Sequence, residues 1–154
     1  MTMSFRFRIA ALSTSLLLSS LATAVSAEER CSNASLVGSY AFQVDGANIS
    51  APLPGGPGPF AAVGRNTYDG KGGMQGTIVI SSNGVIINAT YAGTYSVNAD
   101  CTGVKSATLN VGATVDFSFV IDDDLREIRM IVSDPGFAVS GSARKLFTDS
   151  KGKE

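Results

Sequence analysis

The chain of 154 residues contains no histidine and no tryptophan, only two cysteines and five prolines, and no excess of basic charge. Without histidine, the usual general base, the Ser-His and Cys-His nucleophile pairs and most zinc sites are excluded. Any catalysis falls to Tyr, Asp, Glu, Arg or Lys. The only sizeable apolar run, Ile9 to Leu21, is rich in Ser and Thr and shorter than the roughly 20 residues that cross a bilayer as a helix, so no membrane span is expected. With 12 basic against 13 acidic residues, the basic ones scattered, the chain offers no electrostatic footprint for nucleic acid. The cluster Arg144-Lys145…Lys151-Gly152-Lys153 reads as a solvated terminus.

The first 27 residues read as an export signal. Arg6 and Arg8 form the positive start, Ile9 to Leu21 the apolar stretch, and Val25-Ser26-Ala27 the small-residue cleavage pattern. Cleavage after Ala27 removes two basic residues and no acidic ones, leaving residues 28–154 as one domain with a net charge of 10 − 13 = −3. The expected location is periplasmic or extracellular. An oxidising compartment favours a disulfide between Cys31 and Cys101, and neither cysteine has the C-x-x-C spacing of a redox or metal pair.

From Leu36 to Phe147 apolar and polar residues alternate in short runs cut by Gly-rich turns. Strands are predicted over 36–44, 60–68, 74–81, 85–97, 104–110, 113–121, 126–133 and 137–147, with Ala92-Gly93 expected to bend the long fourth run into two. Hairpin turns are expected at Asp69-Gly70, Ser82-Asn83-Gly84, Asp122-Asp123-Asp124 and Asp134-Pro135-Gly136. Four of the five prolines fall in residues 45–59 with Gly55, Gly56 and Gly58, which predicts a mobile rim loop. Eight or nine strands joined by tight hairpins indicate an all-β fold: a single antiparallel up-and-down β-barrel, with a β-sandwich as the alternative. Inward glycines at 38, 76, 93 and 141 fit the bends of a small barrel.

Parity then assigns faces. Tyr40, Phe42, Tyr91, Tyr95, Phe117 and Phe119 fall on the inward set and are the candidate ligand-binding residues. Arg65, Lys105, Asp116, Glu127, Arg129 and Arg144 fall mostly on the outward set, with Asp116, Arg129 and Arg144 expected to form a surface ladder. The aspartates at 122–124 lack the alternating ligands and distal glutamate of a calcium loop, so no metal and no cofactor is expected. Val37, Val79, Ile86, Val120 and Ile131 are apolar yet outward, which suggests a homodimer or homotrimer. Glycan-type sequons stand at Asn33, Asn48 and Asn88.

The phrases Gly38-Ser39-Tyr40-Ala41-Phe42, Thr67-Tyr68-Asp69-Gly70-Lys71-Gly72, Ser82-Asn83-Gly84 and Gly93-Thr94-Tyr95-Ser96-Val97-Asn98-Ala99-Asp100-Cys101-Thr102-Gly103 resemble a group of small exported bacterial proteins of unassigned role. The architecture resembles allene-oxide-cyclase-like and lipocalin-like barrels, and that resemblance implies binding, cyclisation or isomerisation of apolar small molecules. Three functions are therefore expected in rank order. First is an exported barrel that binds a small apolar or aromatic molecule. Second is a cofactor-free isomerase or cyclase using tyrosine hydroxyls with Asp116 or Arg65. Third is a surface, matrix or inhibitor protein acting through residues 45–59.

Overall fold

A computed structural model describes residues 31–122 and 124–146. The expected export signal, Asp123 and the chain beyond Leu146 lie outside those residues. A 3-10 turn, Asn33–Leu36, precedes eight strands: β1 (Gly38–Asn48), β2 (Gly58–Tyr68), β3 (Gly73–Ser82), β4 (Val85–Val97), β5 (Thr102–Leu109), β6 (Thr114–Ile121), β7 (Glu127–Val132) and β8 (Phe137–Lys145). Each pairs antiparallel with its sequence neighbour, and β8 returns to β1, closing one up-and-down barrel. Closure removes the open sheet edges that a sandwich would leave.

The expected break in β4 does not occur. Ala92 pairs with Gln75 on one side and Thr108 on the other, so the ladder runs unbroken through the bend. Gly93 is what permits this, because a Cβ there would lie 1.9 Å from the Ser106 carbonyl oxygen. At the start of the barrel Leu36 belongs to the 3-10 turn and not to β1; it is fully buried and plugs the base.

The expected 45–59 loop shortens to residues 49–57, because β1 and β2 stay paired as far as Asn48↔Gly58. Pro59 costs no rung on the β3 side, since its carbonyl accepts the Asn83 N–H at 2.7 Å. What remains is fastened to its neighbours by hydrogen bonds. Asn48 Nδ2 donates to the Ala51 and Gly56 carbonyls at 3.0 and 3.1 Å, and its Oδ1 accepts from Ala51 N at 2.8 Å. Asn83 Nδ2 donates to Gly55 O at 3.0 Å, and Gly136 O accepts from Ile49 N. Asn48 is itself buried, so one of the three sequon asparagines serves as the fastening of this loop.

Inward parity produces the core: Tyr40, Val44, Ile80, Tyr91, Phe119, Ile128, Met130 and Val139 are all buried. The five outward apolar residues, Val37, Val79, Ile86, Val120 and Ile131, are exposed. Such an apolar interior behind an exterior rich in Ser and Thr is the reverse of a lipid-embedded porin-type wall. No helix among the described residues is long and apolar enough to cross a membrane.

Two charge assignments change. Lys105 is inside the barrel, not outside. The Asp116–Arg129–Arg144 ladder is replaced by one centred on Glu127, whose carboxylate meets Arg129 Nε at 3.5 Å and Arg144 Nε at 3.3 Å. Register explains this: Glu127 stands opposite Arg144, whereas Asp116 lies one residue past Phe117↔Val132, the upper end of the β6–β7 ladder.

The barrel's mouth is lopsided. The β3–β4 ladder climbs to Ser82↔Val85, but the β4–β5 ladder stops at Tyr91↔Leu109. Residues Val85–Thr90 of β4 therefore rise above β5 by about 20 Å of extended chain. On the other flank β1 and β8 remain paired to Asn48↔Phe137 while β7 ends at Val132. β5, β6 and β7 thus form a low wall facing a high wall of β8 and β1–β4.

Candidate functional site

The two halves of the interior differ chemically. Toward the base, the aromatic residues of β1, β2 and β4 fill the barrel. Tyr68 packs edge-on against Tyr40 (centroids 5.4 Å) and Tyr95 (4.9 Å). Tyr91 donates its hydroxyl to Asn66 Oδ1, and Asn66 Nδ2 donates to Tyr68 Oη at 2.9 Å. Tyr95 donates to Asn33 O at 3.0 Å, and Asn33 Oδ1 accepts the Val97 N–H at 2.8 Å. These bonds seat the 3-10 turn across the base, and the Cys31–Cys101 disulfide, with Cα atoms 5.0 Å apart, holds it there.

Burial disfavours the phenolate at every one of these tyrosines. Tyr40 is pushed up to about 12, first by desolvation and then by the nearby Asp122 charge. Tyr68, Tyr91 and Tyr95 are raised as well, desolvation being the largest cause in each. At neutral pH all four are protonated phenols and not bases, with Tyr91 and Tyr95 donating hydrogen bonds.

The mouth half holds a partly open cavity of about 50 Å³. Phe42, Ile78, Val115, Phe117 and Phe137 point into it and are only half-buried, so the space above communicates with solvent over the low wall. Leu53, from the fastened 49–57 loop, lines it from the mouth side. Tyr91 and Asn66, whose polar atoms bond to each other, line it below.

The remaining polar lining group is Lys105, on β5. It is 6 % exposed, its register partners are Tyr95 and Phe117, and its ammonium lies 4.6 Å from the Phe117 ring centroid. Its one polar contact among the described residues is Met130 Sδ at 3.3 Å, a weak acceptor. Among the described residues no carboxylate reaches it, the ion pairs there being those of Glu127 on the outer surface. Desolvation without compensation lowers Lys105 from the ordinary 10.5 to about 7. An amine is therefore held, partly deprotonated at neutral pH, inside an apolar hollow.

Of the six residues expected to bind ligand, Phe42, Tyr91 and Phe117 line this cavity. Tyr40, Tyr95 and Phe119 are buried in the packed interior away from it. Asp116 and Arg65, the charged groups required by the cyclase reading, are both exposed, Arg65 bonding outward to Ser39 Oγ at 3.1 Å. Parity had given no place to Asn66, Tyr68, Leu53 or an inward Lys105. Among the described residues no three His, Cys, Asp or Glu side chains converge on a point that would hold a metal ion. Comparison with protein-family models, with curated proteins and with solved structures finds no match.

Proposed function

We propose that this chain is an exported barrel protein, periplasmic or extracellular, that binds a small apolar or aromatic molecule at the mouth of the barrel. The observation that carries this reading is the incomplete cover of Phe42, Ile78, Val115, Phe117 and Phe137, inward-facing side chains that a filled core would bury. The cavity's 50 Å³ is well below the roughly 150 Å³ that accommodates benzene, so the ligand inserts one end and rests the remainder between Leu53 and the high wall. The disulfide supports the exported location.

Fluorescence titration with N-phenyl-1-naphthylamine, a neutral aromatic probe, tests the reading. Saturable binding to the wild type and about tenfold weaker binding to Val115→Trp, which fills the hollow from the low wall, are expected. Equal binding by both proteins, or none by either, would refute it. Native mass spectrometry of protein purified from its own host then identifies any retained compound.

The same reading includes a homodimer. Segment Val85–Ala89 has β3 on one side and, among the described residues, no strand on the other, while Thr90 is already bonded to Asn110; the exposed Val63, Val79 and Ile86 lie beside it. An antiparallel edge of this kind is complementary to its own copy across a two-fold axis. Sedimentation equilibrium should find a dimer that Ile86→Lys converts to monomer; a monomeric wild type rules it out.

A further inference from the structure

A buried lysine with no counter-ion is costly to keep, and a Met or Leu would fill the same space without the penalty. Its placement at the floor of an apolar hollow, under Phe117 and beside Met130, is that of a reactive amine sheltered from water. We propose that Lys105 captures an apolar aldehyde as an imine, with the aldehyde's hydrocarbon tail lying in the mouth of the barrel. This rests on the proposed ligand-binding role and specifies its ligand class.

The Lys105 nitrogen lone pair attacks the carbonyl carbon, forming the C–N bond while the carbonyl π pair moves to oxygen. A proton passes from nitrogen to oxygen to give the carbinolamine. The nitrogen lone pair then expels the hydroxyl, the C–O bond breaks, and loss of the last N–H proton releases one water for each imine formed. No redox partner is needed. With its pKa lowered to about 7, about half of the Lys105 side chains carry a free lone pair at neutral pH, against about one in 3,000 for a solvated lysine.

A carboxylate ligand suits the site less well. It has about four lone-pair positions to satisfy. The cavity offers one amine, with the Tyr91 hydroxyl already committed to Asn66. The carboxylate's own desolvation would be left largely unanswered, whereas a neutral imine leaves no buried charge.

Octanal with sodium cyanoborohydride at neutral pH, followed by peptide mapping, reads the site directly, because hydride transfer fixes the imine as an octyl-amine. Lys105 should be alkylated about tenfold or more faster than the exposed Lys71 and the partly exposed Lys145, and N-phenyl-1-naphthylamine should suppress its labelling alone. If the probe binds but Lys105 labels no faster than the surface lysines, the imine is refuted and the ligand-binding role stands. If neither occurs, both fail. Octanoate displacing the probe more tightly than octanal does would make Lys105 an ion-pair partner and also overturn the imine.

Discussion

Lys105 should impose a pH dependence on stability that nothing else in the barrel imitates. The unfolded chain keeps this proton up to about 10.5, and the folded chain releases it near 7. Between those values the unfolded state binds one more proton than the folded state. Stability therefore rises as pH rises through that window, and the penalty is at full strength below it. A depression of this size corresponds to roughly 5 kcal/mol at acid pH, of which roughly 3 kcal/mol is recovered between about pH 6 and pH 9. With no histidine in the chain, the background in that interval is flat. The raised tyrosines act above about pH 10, in the opposite direction, because their folded state holds protons that the unfolded state has lost. The depressed Asp69, Asp100 and Asp122 act only in acid, where stability falls as they protonate. Guanidinium chloride unfolding at closely spaced pH values, with the disulfide intact, measures the curve. Wild type should gain stability from pH 6 to 9, while Lys105→Met should be flat there and the more stable protein at pH 6. Parallel curves for the two proteins would show that the amine is solvated in the fold, and the argument for a sheltered nucleophile would go with it.

Three further sets of substitutions probe the frame around the site. Replacing Cys31 and Cys101 by serine opens a loop spanning 70 residues and should cost about 4 kcal/mol of stability, measured by chemical denaturation, with loss of amide protection at the 3-10 turn. Gly93→Ala drives a Cβ into the Ser106 carbonyl and should cost about 3 kcal/mol or prevent folding, whereas Thr94→Ala on the exposed face should change stability by less than about 0.5 kcal/mol; equal effects would refute the close approach of β4 and β5. Tyr91→Phe strips Asn66 Oδ1 of its donor and should cost about 1–3 kcal/mol, while Tyr40→Phe removes a buried hydroxyl that has no partner and should be neutral or slightly stabilising by thermal unfolding.

The barrel was legible because two independent signals agree along most strands. In β6, Val115, Phe117, Phe119 and Ile121 alternate with Thr114, Asp116 and Ser118, so one face is unmistakably the core, and the turns on either side carry glycine or aspartate. β5 lacks that contrast. Its two faces read Val104, Ser106, Thr108 and Lys105, Ala107, Leu109, each a mixture, and a charge in the second set argues for water on general grounds of desolvation. What decides its sidedness is non-local. Phe119 occupies the space beside Gly103, where a Cβ would lie 2.3 Å from its ring, and Tyr91 and Leu109 pair across the barrel wall, so the set containing Gly103 and Leu109 must face in and takes Lys105 with it. Glycine at 103, two residues before the lysine, was the available sign, since inward glycines mark the bends at 76, 93 and 141 as well. The proline-rich segment misled for a related reason. Composition describes the cost of ordering a loop, but Asn48, one buried amide making three hydrogen bonds, meets that cost and turns residues 49–57 into the wall carrying Leu53. Both departures from the simple alternation border the same cavity. A rule of sidedness broken by a lysine, and a proline- and glycine-rich loop tied down by an asparagine, are local conflicts of the kind expected at functional sites, and both lie where the proposed ligand would sit.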